Sequence, residues 1–284
     1  MLKFNLINFT KILSSILPYF FIFILFSCRK DEEIKPLEEF RDLSYGSKQR
    51  NQLDIYLPTK RNLNTPLLIF IHGGGWTQGD KSQVNAILKP FINKNFAVAS
   101  LNYSYTDSET NYIQINEDIS NAISYLISNS KNYNYSSTKV CLIGYSCGAQ
   151  LGLLHAYQNN DIKAVASVSG LANLMNPQYT DTNNYINKVI TYYIGSQYKN
   201  SKQLWEKNSP YLFCNKNSKP TYIINAVSDE IVSCEDAKNL RQKLDSNNIP
   251  NCYQEYSGDH NLFSNLPSSE WEKIADWFIS ILKT

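Results

Sequence analysis

Apolar and polar positions along this chain change period several times, and each change marks an element. "PLLIFIHG" (66–73) is a near-continuous apolar run, the pattern of a strand covered on both faces. "FAVASLNY", "KVCLIGY", "IKAVASVSG" and "PTYIINAV" repeat it, and "NCYQEYS" adds a more polar strand. Between these runs, "QVNAILKPFINK", "IQINEDISNAISYLISN", "CGAQLGLLHAYQ", "CEDAKNLRQKLDS" and "EWEKIADWFISILK" read as helices. In the second of them Ile113, Ile115, Ile119, Ile123 and Leu126 recur at near-helical spacing and predict a buried face. Ahead of the series, "RDLSYG" and "NQLDIYLP" predict an antiparallel hairpin of two short strands. Strands alternating with helices imply βαβ units, so the fold class is α/β with a mostly parallel sheet opened by that hairpin. One stretch interrupts the alternation. Residues 171–219 are polar and rich in Asn and Tyr, too long for a structureless loop, and predict a cap or lid with helices of its own.

The N-terminus follows a different rule. Lys3 and Lys11 precede an apolar run from Ile12 to Phe26, the charge and length pattern of a secretory signal. The run is shorter than the roughly 20 residues of a spanning helix and contains Pro18. An uncleaved anchor helix is the alternative. "LFSC" (25–28) resembles the lipobox of bacterial lipoproteins, which implies a signal peptide over 1–27 and lipid attachment at Cys28. That places the protein outside the cytoplasm, anchored to membrane by lipid and facing the periplasm or the cell surface. "RKDEEIKPLEEF" is charged and without an apolar face, so residues 28–40 predict a solvated tether.

The remaining 41–284 is long enough for one sizeable core. A net charge of only +2 without a basic stripe argues against a nucleic-acid partner. Five cysteines remain after Cys28, and their spacing fits no zinc pattern. Cys141 reads as a buried small hydrophobe, and a Cys214–Cys252 disulfide is an expectation if the strands they precede are neighbours.

The chain has only eleven glycines, and seven fall in the segments that could carry chemistry. Gly144-Tyr145-Ser146-Cys147-Gly148 lies between a predicted strand and a predicted helix, where a nucleophile elbow belongs. The central Ser146 would face outward, and the Cys147 thiol would turn into packing. "HGGGWTQGDK" (72–81) follows a strand, and bare amides of Gly73, Gly74 and Gly75, with that of Cys147, would form an oxyanion hole. A serine needs a base, and there are three histidines. His72 opens the glycine run and would order it, while His155 sits two turns into a helix as a packed or surface residue. His260, in a loop after the last strand, is the base by elimination and position. The orienting carboxylate should come from the preceding loop, where Asp229 stands first. Glu230 beside it would point elsewhere, Asp259 is too near His260 in sequence, and Asp118 inside a helix reads as a structural partner.

The order Ser146, Asp229, His260 is that of α/β-hydrolases. With "LDIYLP", "PLLIFIHGGGW" and "GYSCGAQLGLL", residues 41–284 resemble HGGG-type serine esterases of that fold, a group spanning carboxylesterases, acetyl xylan and feruloyl esterases, and arylformamidases. The resemblance implies helices on both faces of the sheet, a small cap, and an acyl-enzyme mechanism needing neither metal nor organic cofactor. It implies a small-molecule or polysaccharide ester as substrate, with short acyl groups such as acetyl or feruloyl on carbohydrate foremost. A general carboxylesterase or arylformamidase-like amidase, and a non-catalytic binding protein on the same scaffold, are the alternatives. Three positions depart from the pattern: Cys147 stands where alanine is usual, Tyr103-Ser104 where many relatives carry arginine after the tyrosine, and Asn225-Ala226 where His-Gly is common.

Overall fold

The computed structural model describes residues 35–283. The signal segment, Cys28 and most of the tether therefore lie outside the described residues. Eight strands form one sheet: β1 (Glu38–Ser44), β2 (Gln52–Leu57), β3 (Leu67–Ile71), β4 (Ala97–Leu101), β5 (Val140–Tyr145), β6 (Ala164–Val168), β7 (Thr221–Ala226) and β8 (Asn251–Tyr256). Their order is β1-β2-β4-β3-β5-β6-β7-β8; β1 and β2 pair antiparallel, β2 runs antiparallel to β4, and every later pairing is parallel. This is the α/β-hydrolase fold. The strand boundary at the start differs from the expectation that the tether reaches residue 40. Glu38, Glu39 and Phe40 already pair with Leu57, Tyr56 and Ile55, a long-range partnership invisible in a locally charged sequence.

β3 to β7 are buried along nearly their whole length because helices cover both faces. The helices α1 (Asn85–Asn93), α2 (Tyr112–Ser128), α3 (Ser130–Tyr133) and α4 (Cys147–Gln158) come before the cap. The cap carries α5 (Pro177–Thr180), α6 (Tyr185–Ile194), α7 (Lys202–Lys207) and α8 (Pro210–Phe213). After it come α9 (Cys234–Ser246), α10 (Leu262–Asn265) and α11 (Ser268–Ile281). One face of the sheet packs on α2, α4 and α9 through Ile119, Leu151 and Leu240, with the cap residues Ile190 and Trp205 in the same cluster. The opposite face packs on α1 and α11 through Phe91, Trp271 and Phe278. The α2 stripe holds at Ile115, Ile119, Ile123 and Leu126, but Ile113 is exposed. Asn111 caps this helix through a capping box with Gln114, and that sets Ile113 in the open first turn.

The expected Cys214–Cys252 disulfide does not form; all five described cysteines are free thiols. β7 and β8 are indeed neighbours. Cys214, however, follows α8 and belongs to one core cluster, whereas Cys252 packs against the other, across the sheet.

Candidate active site

The elbow is built by close backbone approach. Ser146, between β5 and α4, takes φ 55° and ψ −122°, a left-handed strain held by its N–H donating to Val168 O at 2.9 Å. A Cβ at Gly144 would run into the backbone of Gly148 and Ala149, and one at Gly148 into the carbonyl oxygens of Ile71 and His72. The flanking glycines thus let α4 start directly against the ends of β3 and β5.

Ser146, Asp229 and His260 come together as expected. Ser146 Oγ is 2.9 Å from His260 Nε2, and His260 Nδ1 is 2.9 Å from Asp229 Oδ2. The Asp229 side chain is fully buried, and its Oδ1 also accepts the N–H groups of Ile231 and Val232 at 3.0 and 2.8 Å. Those bonds fix the carboxylate so that its remaining lone pairs face the ring. The two loops are stitched together by backbone: Val227 N donates to Tyr256 O and Ser228 N to Gly258 O. Tyr145, the variable residue of the elbow, donates its hydroxyl to His260 O at 2.8 Å and lays its ring 5.6 Å from the imidazole. Sequence reasoning gave Tyr145 no task, although its place beside the serine was the available signal. Glu230 is exposed. Asp118 pairs with Lys48 at 3.0 Å and accepts Ser104 N at 2.9 Å, so the Tyr103-Ser104 departure is absorbed by a carboxylate on α2.

Gly74, Gly75 and Cys147 line the cavity above Ser146, and Gly74 and Gly75 take positive φ of 122° and 59°. Gly73 differs from expectation: it is not among the cavity's lining residues and packs against the Tyr145 ring. The Cys147 thiol is buried and turned away, within 3.4 Å of both Trp76 N and Tyr103 Oη, and burial raises its pKa. A raised pKa disfavours the thiolate, the nucleophilic form of cysteine.

The glycine loop is clamped by groups the sequence did not single out. Arg50 donates to Tyr103 O at 2.8 Å and Gly79 O at 3.2 Å while lying 3.7 Å over the Tyr105 ring. Lys81 pairs with buried Asp54 at 2.7 Å. His72 orders the loop as expected, with Nδ1 2.7 Å from Gly73 O and its ring stacked 4.3 Å from Tyr103. His155 is a packed residue 3.1 Å from Asp161. The cap is seated from below: Tyr193 stacks on Trp76 at 4.1 Å, and Gln150 bonds Trp76 Nε1 and Asn208 O. Asp236 at the start of α9 accepts Ala172 N and Asn173 N, and burial pushes its carboxyl up to about 7.

Burial lowers the His72 pKa from 6.5 to about 4, which has a consequence for stability. The unfolded chain binds a proton at this ring between those values and the folded chain does not. Stability from this group is therefore complete above pH 6.5 and declines as pH falls toward 4. Relative to His72→Asn, the wild type should lose on the order of 3 kcal/mol between pH 7 and 4, read by urea unfolding at each pH. A constant difference would show that the ring is protonated in the fold.

Residues 53–244 match the model of the family BD-FAE. The chain belongs to the BD-FAE family of α/β-hydrolase esterases. It is 24% identical over 226 residues to isoprenylcysteine alpha-carbonyl methylesterase ICME of Arabidopsis thaliana, covering 72% of this chain and 52% of that protein. It is 23% identical over 176 residues to kynurenine formamidase of Salmo salar, covering 60% and 54%. The chain thus spans about half the length of these curated relatives. Among solved structures, a truncated form of carbohydrate esterase from gut microbiota superposes with TM-score 0.78 at 19% identity, covering 89% of this chain and 99% of that one. The BD-FAE match takes in Ser146, Asp229 and the glycine loop but ends before His260, which the fold then supplies.

Proposed function

We propose that the protein hydrolyses carboxylic esters through an acyl-enzyme on Ser146 and that its substrates carry short acyl groups on carbohydrate. The observation that carries the reading is the continuous path from Ser146 Oγ through both ring nitrogens of His260 to a buried, doubly anchored Asp229 carboxylate. Ser146 Oγ attacks the ester carbonyl as His260 Nε2 takes its proton, and Asp229 stabilises the resulting imidazolium. The oxyanion forms beside Cys147 and the Gly74-Gly75 backbone, where one well-placed donor contributes about 3 kcal/mol. His260 then protonates the leaving alcohol and activates the water that releases the acid. The carbohydrate part of the reading draws on the family and on the likeness to a structure described as a carbohydrate esterase.

The test is covalent. Diethyl p-nitrophenyl phosphate should lose p-nitrophenolate and leave a diethylphosphoryl group on one residue. Peptide mass spectrometry is expected to find that group on Ser146. A label on Cys147, or an unlabelled protein under conditions that inactivate a control serine esterase, would remove the mechanism.

A further inference from the structure

Three consecutive amides lead from the catalytic carboxylate into α9. Ile231 N and Val232 N donate to Asp229 Oδ1, and the next, Ser233 N, donates to the hydroxyl of Tyr179 at 3.0 Å. Tyr179 belongs to the cap, on α5, and is fully buried. The segment that anchors Asp229 is therefore itself held by a cap side chain, at the residue that caps α9.

The Tyr179 hydroxyl is fixed in turn. It donates to Asp236 Oδ2 at 3.4 Å, and Asp236 accepts Ala172 N at 2.8 Å and Asn173 N at 3.1 Å, where the chain passes from β6 into the cap. Asp236 is fully buried and makes no ion pair among the described residues, so these donors offset the cost of burying its charge. The Tyr179 backbone is tied as well: Asn187 Nδ2, on α6, donates to Tyr179 O at 2.8 Å. Ile186, Lys188 and Val189, the neighbours of Asn187 on that helix, line the catalytic cavity. A continuous set of contacts thus runs from the cavity wall on α6 to the carboxylate that orients His260.

We infer that Tyr179 and Asp236 are positioning residues for the reaction: through the Ser233 amide they hold the Asp229 loop, and with it the carboxylate, at the imidazole of His260. Neither residue lines the catalytic cavity, so neither meets the reacting atoms. Their effect reaches the chemistry through Asp229 and must fade once residue 229 no longer supplies an orienting charge. The inference rests on the ester-hydrolase reading of Ser146.

A chain of contacts does not by itself show coupling, and a double-mutant cycle measures it. The kcat and KM for p-nitrophenyl acetate are compared in wild type, Tyr179→Phe, Asp229→Asn and the double variant. The assay runs at pH 8, above the Asp236 carboxyl, which burial pushes up to about 7. Tyr179→Phe keeps the ring and its packing and removes the hydroxyl alone. It should lower kcat about tenfold with KM unchanged, the effect of one hydrogen bond on the barrier. In the Asp229→Asn background the same change should lower kcat by less than about twofold. Asp236→Ala, crossed with Asp229→Asn in the same way, should show the same loss of effect, whatever it costs in Tm. An equal fall in both backgrounds would mark a residue of stability alone and overturn its positioning role. A kcat unmoved by Tyr179→Phe, or a change confined to KM, would do so too. Wild-type kcat in Asp229→Asn, or no turnover by the wild type, would instead remove the hydrolase reading beneath it.

Discussion

Ser146→Ala is expected to lower kcat on p-nitrophenyl acetate by about 10⁴- to 10⁶-fold, and adding His260→Ala should lower it little further. The two groups act as a unit: without the hydroxyl the imidazole has no proton to take, and without the imidazole the hydroxyl stays protonated. Asp229→Asn should cost about 10⁴-fold for a different reason. An amide would place a donor near His260 Nδ1, favouring the tautomer whose Nε2 carries hydrogen and faces Ser146 as a donor. The two backbone amides that Asp229 Oδ1 now accepts keep the side chain in place, so the loss would come from tautomer and charge. Cys147→Ala supplies the contrast. Its side chain packs against Trp76 and Tyr103, and its backbone N–H survives the change, so activity should stay within about tenfold of wild type. Steady-state rates on the purified variants decide the matter. Activity kept by Ser146→Ala and lost by Cys147→Ala would transfer the nucleophile to the thiol.

The division between what the sequence disclosed and what it did not follows the range of the interactions. β3 through β7 were legible because a strand buried on both faces is apolar at most positions, Ser100, Ser167, Thr221 and Asn225 being buried exceptions, and α9 because Ala237, Leu240 and Leu244 recur at helical spacing. Ser146, Asp229 and His260 were legible because the chemistry restricts each to few residue types, and each follows a strand. β1 was legible only in its second half. Glu38–Phe40 owe their strand conformation to partners on β2, and Asp42 opens a bulge there with φ 54°. Three of the cap helices, α5, α7 and α8, are four to six residues long, too short to show a period, and the cap is held by Trp76, Gln150 and Asp236 from outside; only α6, with Ile186, Ile190, Tyr193 and Ile194 at helical spacing, carries a stripe of its own. Arg50 and Lys81 escaped notice for a related reason. Nothing in their neighbourhood says that one will grip the backbone of Tyr103 and Gly79, or that the other will meet Asp54 across 27 positions.

The largest structural effect should come from one methyl group. In Gly148→Ala the new Cβ would lie well inside the 3.0 Å that real Cβ atoms essentially never breach, against the carbonyl oxygens of both Ile71 and His72. Both obstacles are backbone, at the point where β3 passes into the glycine loop, and neither can rotate aside. Relief requires α4 to lift away from β3, although Ile71 is in register with Gly144 on β5 and the serine rides on that same turn. The expected cost is about 3 kcal/mol or more, a fall of about 10 °C in Tm for a domain of this size, together with loss of activity as Ser146 leaves His260. Gly152→Ala, one turn further along the same helix, is the internal control. There the added Cβ meets Ile71 Cδ1 at 3.6 Å, an ordinary contact, and alanine favours the helix by about 1 kcal/mol over glycine. Thermal unfolding of the two variants should therefore move in opposite directions from wild type. Equal melting temperatures would mean that α4 is not pressed against the end of β3, and the tightness of the elbow would lose its explanation.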